Sequence, residues 1–115
     1  LDFDLEYDNK TREVEIVVGT KNFNYEEVPG ESGTMMAKIK VDLIVYPPGQ
    51  VENFFKFSEV KSIKIQKDNL LGKNAAVSLN FPLELPAGKV KIDAVVTDIL
   101  GDAVQRKFFT INSKK

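Results

Sequence analysis

A chain of 115 residues with 43 per cent hydrophobic side chains has one domain's length, and enough apolar mass for a core without disulfides or metal. Its 16 basic and 17 acidic side chains leave a formal net charge of -1, which argues against a nucleic-acid partner, since phosphate contacts demand a basic excess. Cysteine and histidine are both absent, which excludes a disulfide framework and a thiolate zinc site and removes the commonest general base; no run reaches the ~20 apolar residues of a membrane span.

Period-two alternation dominates the chain. Leu1-Asp2-Phe3-Asp4 already reads as strand, so the expectation is a processed mature chain or an excised domain. Phe3, Leu5 and Tyr7 alternate with Asp2, Asp4, Glu6 and Asp8, which predicts a strand with one buried and one wet face. Asp8 to Thr11 supplies turn residues, and Val14, Ile16 and Val18 then alternate with Glu13, Glu15 and Val17.

Residues 20–34, with Asn22, Asn24, Pro29, Gly30 and Gly33, form the longest irregular stretch. Met35 to Tyr46 is the longest predicted strand, with Ala37, Ile39, Val41, Leu43 and Val45 facing the core and Lys38, Lys40 and Asp42 facing out. Pro47-Pro48-Gly49-Gln50 stops it. A short edge strand is expected over Val51 to Phe57 and a separate one over Val60 to Lys67, with Ile63 and Ile65 inward. A break follows around Leu70 and Leu71.

Val77, Leu79 and Phe81 form the next strand, closed by Pro82 and Pro86. Val90, Ile92, Ala94 and Val96 alternate with Lys89, Lys91 and Asp93 before a turn at 98–102. Val104 to Ile111 returns as an antiparallel partner, with Gly101 expected at positive φ and Asn112 to Lys115 frayed. Seven to eight short strands without a helix specify an all-β protein, an antiparallel β-sandwich over residues 1–115.

Leu85-Pro86-Ala87-Gly88 with the alternating strand to Asp98, then Gly101-Asp102-Ala103 and Phe108-Phe109-Thr110-Ile111, resembles the last two strands of bacterial or archaeal immunoglobulin-like and fibronectin type III-like modules. The likeness is close over residues 85–111 and looser over Val41 to Gly49. It implies an immunoglobulin-like sandwich acting as a structural or interaction module of a secreted or cell-surface protein, with a cytoplasmic location also open. The tryptophan and cysteine pair of antibody domains are absent, so antibody-type kinship is not implied. Such modules share no catalytic residues, and none are transferred.

Several residue groups are candidate sites. The acidic row Asp2, Asp4, Glu6, Asp8, Glu13 and Glu15 would set carboxylate opposite carboxylate in a hairpin. Calcium is a secondary reading there, but strand side chains stand in a row rather than converge, and no calcium-binding loop is present. The favoured reading has no cofactor. Lys38, Lys40, Lys64, Lys89 and Lys91 would give an opposed basic face, which could meet another copy of the chain.

Phe54, Phe55 and Phe57 are too crowded for one buried face, so at least one is expected at a contact; with Glu52 they are the candidate interaction residues, at a sheet edge. Phe108 and Phe109 pose the same problem. Gly30-Glu31-Ser32-Gly33 lacks a nucleophile elbow and a histidine, so the expectation is no enzyme. Asn9-Lys10-Thr11 has the form of a glycosylation acceptor, in a turn. The leading function is protein-protein contact or assembly, with another domain or another copy as partner. The alternative is a carbohydrate- or small-ligand-binding sandwich using Phe23 and Tyr25.

Overall fold

The computed structural model describes residues 2–19, 23–49, 51–68 and 76–114. Eight strands follow in chain order: β1 (Phe3–Asp8), β2 (Glu13–Gly19), β3 (Glu26–Glu27), β4 (Thr34–Tyr46), β5 (Phe55–Gln66), β6 (Ala76–Pro82), β7 (Gly88–Asp98) and β8 (Ala103–Ser113). They form two antiparallel sheets. One has the order β1-β2-β6; in the other, β4 is flanked by β5 on one side and by β3 and β7 on the other, with β8 beyond β7. The result is an antiparallel β-sandwich, as the alternation specifies.

The inward positions of the strands are mostly apolar, and the two sets meet in one core. Val14 and Ile16 of β2 and Phe81 of β6 face Ile39, Val41, Leu43 and Val45 of β4 and Val90, Ile92 and Val96 of β7, all essentially without solvent contact. Aromatic pairs tie the sheets at both rims. Phe3 meets Phe109 at 5.9 Å between ring centroids, and Phe57 meets Phe81 edge-on at 5.5 Å. The crossing from β6 to β7 is fixed by Leu85, whose N–H donates to the Tyr7 hydroxyl at 3.2 Å and whose carbonyl accepts from Ser113 Oγ at 3.3 Å.

The expected hairpin of the last two strands is present, from Gly88↔Ser113 to Asp98↔Ala103. Its turn works differently from the expectation. Asp102 carries the positive φ, at 54°. Gly101 is required because a Cβ there would fall 1.7 Å from Asn24 Nδ2 and 2.6 Å from Asp98 Oδ2. Asp98 is fully buried, and its Oδ2 accepts from both the backbone N–H and the side-chain amide of Asn24, each at 2.8 Å. That carboxylate ties the end of β7 to the segment leading into β3.

Three other expectations need correction. Residues 51–57 and 60–67 are not two strands: Val51–Asn53 is a 3-10 turn, and β5 is one strand of 12 residues. The polar Ser58 and Glu59 do not interrupt the alternation, and β5 pairs with β4 along its length, from Val45↔Phe55 to Thr34↔Gln66. The stretch 20–34 holds the two-residue strand β3, paired with Met35 and Met36. The tail is tied down through residue 114: Lys114 N donates to Asn9 Oδ1 at 2.8 Å, and the Arg12 guanidinium donates to the Lys114 carbonyl. Asn22, Gln50 and the break around Leu70 and Leu71 lie outside the described residues.

Candidate interaction surfaces

Each sheet leaves one outer face, and the two differ in chemistry. On the three-stranded sheet the register sets Glu6 opposite Glu15 and Asp8 opposite Glu13, with Asp4 beside Val17. The β6 positions across from β2 on this face are Ser78, Asn80 and Pro82, so β6 offers no charge to neutralise the five carboxylates. None of the five is in a salt bridge among the described residues. Asp8 is held below the usual carboxylate range by the backbone N–H groups of Lys10 and Thr11, which cap it in the turn. Among the described residues, no group of three or more acidic side chains converges as a metal site would need.

The outer face of the five-stranded sheet mixes lysine with exposed apolar side chains. Registers place Phe108 beside Asp93, Asp93 beside Ile44, and Ile44 beside Lys56; one step along, Tyr46 pairs with Lys91. Phe108 is 73% exposed and Phe54 47%, and the Phe54 ring lies 5.9 Å from that of Tyr46. Val60 and Val104, both exposed, extend the apolar surface towards the two edges. A groove of about 340 Å³ runs between Tyr46 and Phe108, with Lys91, Asp93 and Thr110 in its lining.

Asp93 is the unexpected member of this face. Its outward parity matches Lys89 and Lys91, yet its side chain is only 2% exposed. Arg106, from the diagonal position on β8, covers it with a two-pronged contact: Nε donates to Oδ1 at 2.8 Å, and Nη2 donates to Oδ2. The same guanidinium lies 5.3 Å from the Phe108 ring centre, which favours a ring standing over the pair. The hydrogen bond from Arg106, and then its charge, hold the Asp93 carboxyl below the ordinary 3.8 of an aspartate.

A carboxyl depressed on folding contributes stability that is present above its unfolded value and lost as pH falls through the folded one. Wild type is therefore expected to exceed Asp93→Asn in Tm at neutral pH, with the gap closing as pH drops below about 4. Thermal unfolding followed by circular dichroism from pH 7 to pH 2 checks this. A gap that stays constant over that range contradicts it.

The candidate residues of the 52–57 segment separate by parity. Phe55 and Phe57 turn inward and pack against the core. Phe54 and Glu52 are exposed. β5 is an edge strand, as expected, but its inward face carries Glu59 and Lys61 between Phe57 and Ile63. Lys61 Nζ donates to the Asn80 carbonyl at 2.9 Å and lies 4.8 Å from the Phe81 ring centre. On the opposite rim Lys107 of β8 donates to the Phe3 carbonyl at 2.9 Å and pairs with Asp2 at 2.6 Å. Inward-pointing lysines at edges disfavour addition of a further strand, because pairing there would strand their charge. Parity alone could have found Lys61, which shares the face of Ile63 and Ile65.

The residues singled out for sugar stacking do not make a platform. Phe23 is 7% exposed and belongs to the core, and Tyr25 is half-buried, its hydroxyl pushed above the ordinary value by burial and by the Asp98 charge. Gly30 to Gly33 is a tight loop closed by Thr34 N–H donating to the Glu31 carbonyl at 3.1 Å. Asn9 of the acceptor triplet sits in the β1–β2 turn and holds the C-terminal residues. No helix of the described residues is long and apolar enough to cross a membrane. Comparison with protein-family models, with curated proteins and with solved structures gave no match.

Proposed function

We propose that the chain is a non-catalytic interaction module of the immunoglobulin-like or fibronectin type III-like kind, belonging to a secreted or cell-surface protein. The division into two antiparallel sheets supports this: β1, β2 and β6 lie in one, against β3, β4, β5, β7 and β8 in the other. The contact surface is the outer face of the five-stranded sheet. The observation that carries it is the exposure of Phe108 and Phe54 beside Ile44, Tyr46 and Val95. Exposed aromatic side chains gathered in one patch mark contact surfaces more often than chance.

The expected result is that Phe108→Ser and Phe54→Ser fold as wild type does and lose association, with a partner domain or with another copy. A buried aromatic at a contact is worth ~2 kcal/mol, or roughly a thirtyfold change in Kd. Light scattering and sedimentation measure the association, and circular dichroism verifies the fold. If both variants associate as wild type does, this face is plain surface and the reading fails.

A further inference from the structure

The net charge of -1 hides a separation of charge across the thickness of the sandwich. Five carboxylates, Asp4, Glu6, Asp8, Glu13 and Glu15, stand on the outer positions of β1 and β2. On the opposite side, the outer positions of β4, β5 and β7 carry Lys38, Lys40, Lys56, Lys64, Lys89 and Lys91. Two of these are engaged within the chain, Lys64 with Glu31 at 3.2 Å and Lys40 with Asp42 at 4.0 Å; the other four are in no ion pair among the described residues.

Carboxylates directly opposite one another destabilise a strand pair, so β1 and β2 hold an arrangement that an approaching cationic surface would relieve. The lysine-bearing face of a second copy is such a surface. We infer that the outer face of the five-stranded sheet takes as its occupant the acidic outer face of another copy of the same chain, so that sandwiches stack back to front. This deepens the contact reading above and rests on it.

The contact is heterologous, since each copy offers a different face to each neighbour, and such a contact extends into a row rather than closing as a dimer. Its area is set by the smaller sheet. Three strands spaced about 4.8 Å, each of about 20 Å, offer less than the ~800 Å² per partner of a standard interface. The stack is therefore weak, salt-sensitive, and suited to copies held close together.

The test uses charge reversal and mixing, read by NMR translational diffusion from about 0.05 to about 1 mM at low salt, a range that spans weak association. Glu6→Lys with Glu15→Lys leaves three carboxylates beside two new lysines and so removes most of the charge of the acidic face. Lys40→Glu with Lys91→Glu leaves four lysines beside two new glutamates and so removes most of the positive excess of the lysine face. Wild type is expected to slow with concentration, and to do so about tenfold less readily at 0.3 M salt. Each double variant alone is expected to diffuse as a monomer, and a mixture of the two is expected to associate. Circular dichroism confirms that both are folded.

Three results would overturn the inference. Wild type that stays monomeric to about 1 mM removes it. So does association that survives Glu6→Lys with Glu15→Lys but is lost in Phe108→Ser, which leaves the contact face standing with a different occupant. Association lost in Glu6→Lys with Glu15→Lys, but untouched by Phe108→Ser and by Lys40→Glu with Lys91→Glu, overturns both the inference and the contact face.

Discussion

Phe81→Ala is expected to remove about 3–5 kcal/mol of unfolding free energy, the cost of deleting a fully buried aromatic side chain. Phe81 has no solvent exposure, meets Phe57 of the other sheet edge-on at 5.5 Å, and has Lys61 Nζ 4.8 Å from its ring centre. It thus contributes to the core, to the joint between the sheets, and to the seat of the lysine that guards the β5 edge. A protein of this length has a total stability of only about 5–15 kcal/mol, so the loss is a large part of it. Phe54→Ala, at a side chain 47% exposed, is expected to change stability by about 0.5 kcal/mol or less. Urea denaturation at a common slope measures both. A loss below about 1 kcal/mol at Phe81 would mean that the sheets do not depend on this side chain.

The second large effect is expected at the junction of β7, the β7–β8 turn and the segment before β3. Asp98→Ala removes the buried carboxylate that accepts from the Asn24 N–H and side-chain amide, and the loss of bonds to a charged group costs roughly 1.5–3 kcal/mol. Gly101→Ala breaks the same junction from the other side. Its Cβ would lie 1.7 Å from Asn24 Nδ2, so Asn24 must leave Asp98 or the turn must shift, at about 1–3 kcal/mol. Because both substitutions break one set of bonds, their effects should fall short of adding in the double variant. Asp98→Ala should also lower the Tyr25 titration towards the ordinary 10.0 without reaching it, because burial is the larger cause of its shift. Ultraviolet absorbance against pH follows the tyrosine, and thermal unfolding follows the stability. Full additivity, with Tyr25 unmoved, would show that the two residues act separately.

Much of the fold was legible because the alternation is strict where a strand is buried on one side. Ala37 to Val45 and Val90 to Val96 each name their inward set without ambiguity, and their turns are marked by proline, glycine and aspartate. Legibility failed where both parities carry apolar residues. On β8 the inward set is Ala103, Phe109 and Ile111, and the outward set includes Val104 and Phe108, so only the packed structure shows which phenylalanine is wet. Asp93 could not be read at all. Its burial depends on Arg106 at a diagonal position across the hairpin, and a diagonal contact needs the register, which one sequence does not carry. The division of residues 51–67 into two strands fails because Ser58 and Glu59 take the outward and inward parity of one continuous edge strand. The opposed carboxylates of β1 and β2 were legible, since a short turn between two alternating strands leaves little choice of register.

The central claim, that the outer face of the five-stranded sheet is where this protein meets another, is tested most directly by mapping amide chemical shifts as the chain is concentrated or its partner domain is added. The account predicts shifts centred on Ile44, Tyr46, Val95, Arg106 and Phe108, joined by Glu6 and Glu15 of the acidic face when the chain itself is concentrated, with the inward-facing strand positions unchanged. Shifts confined to the β5 edge at 59–65, or to the loops at the ends of the sandwich, would contradict it.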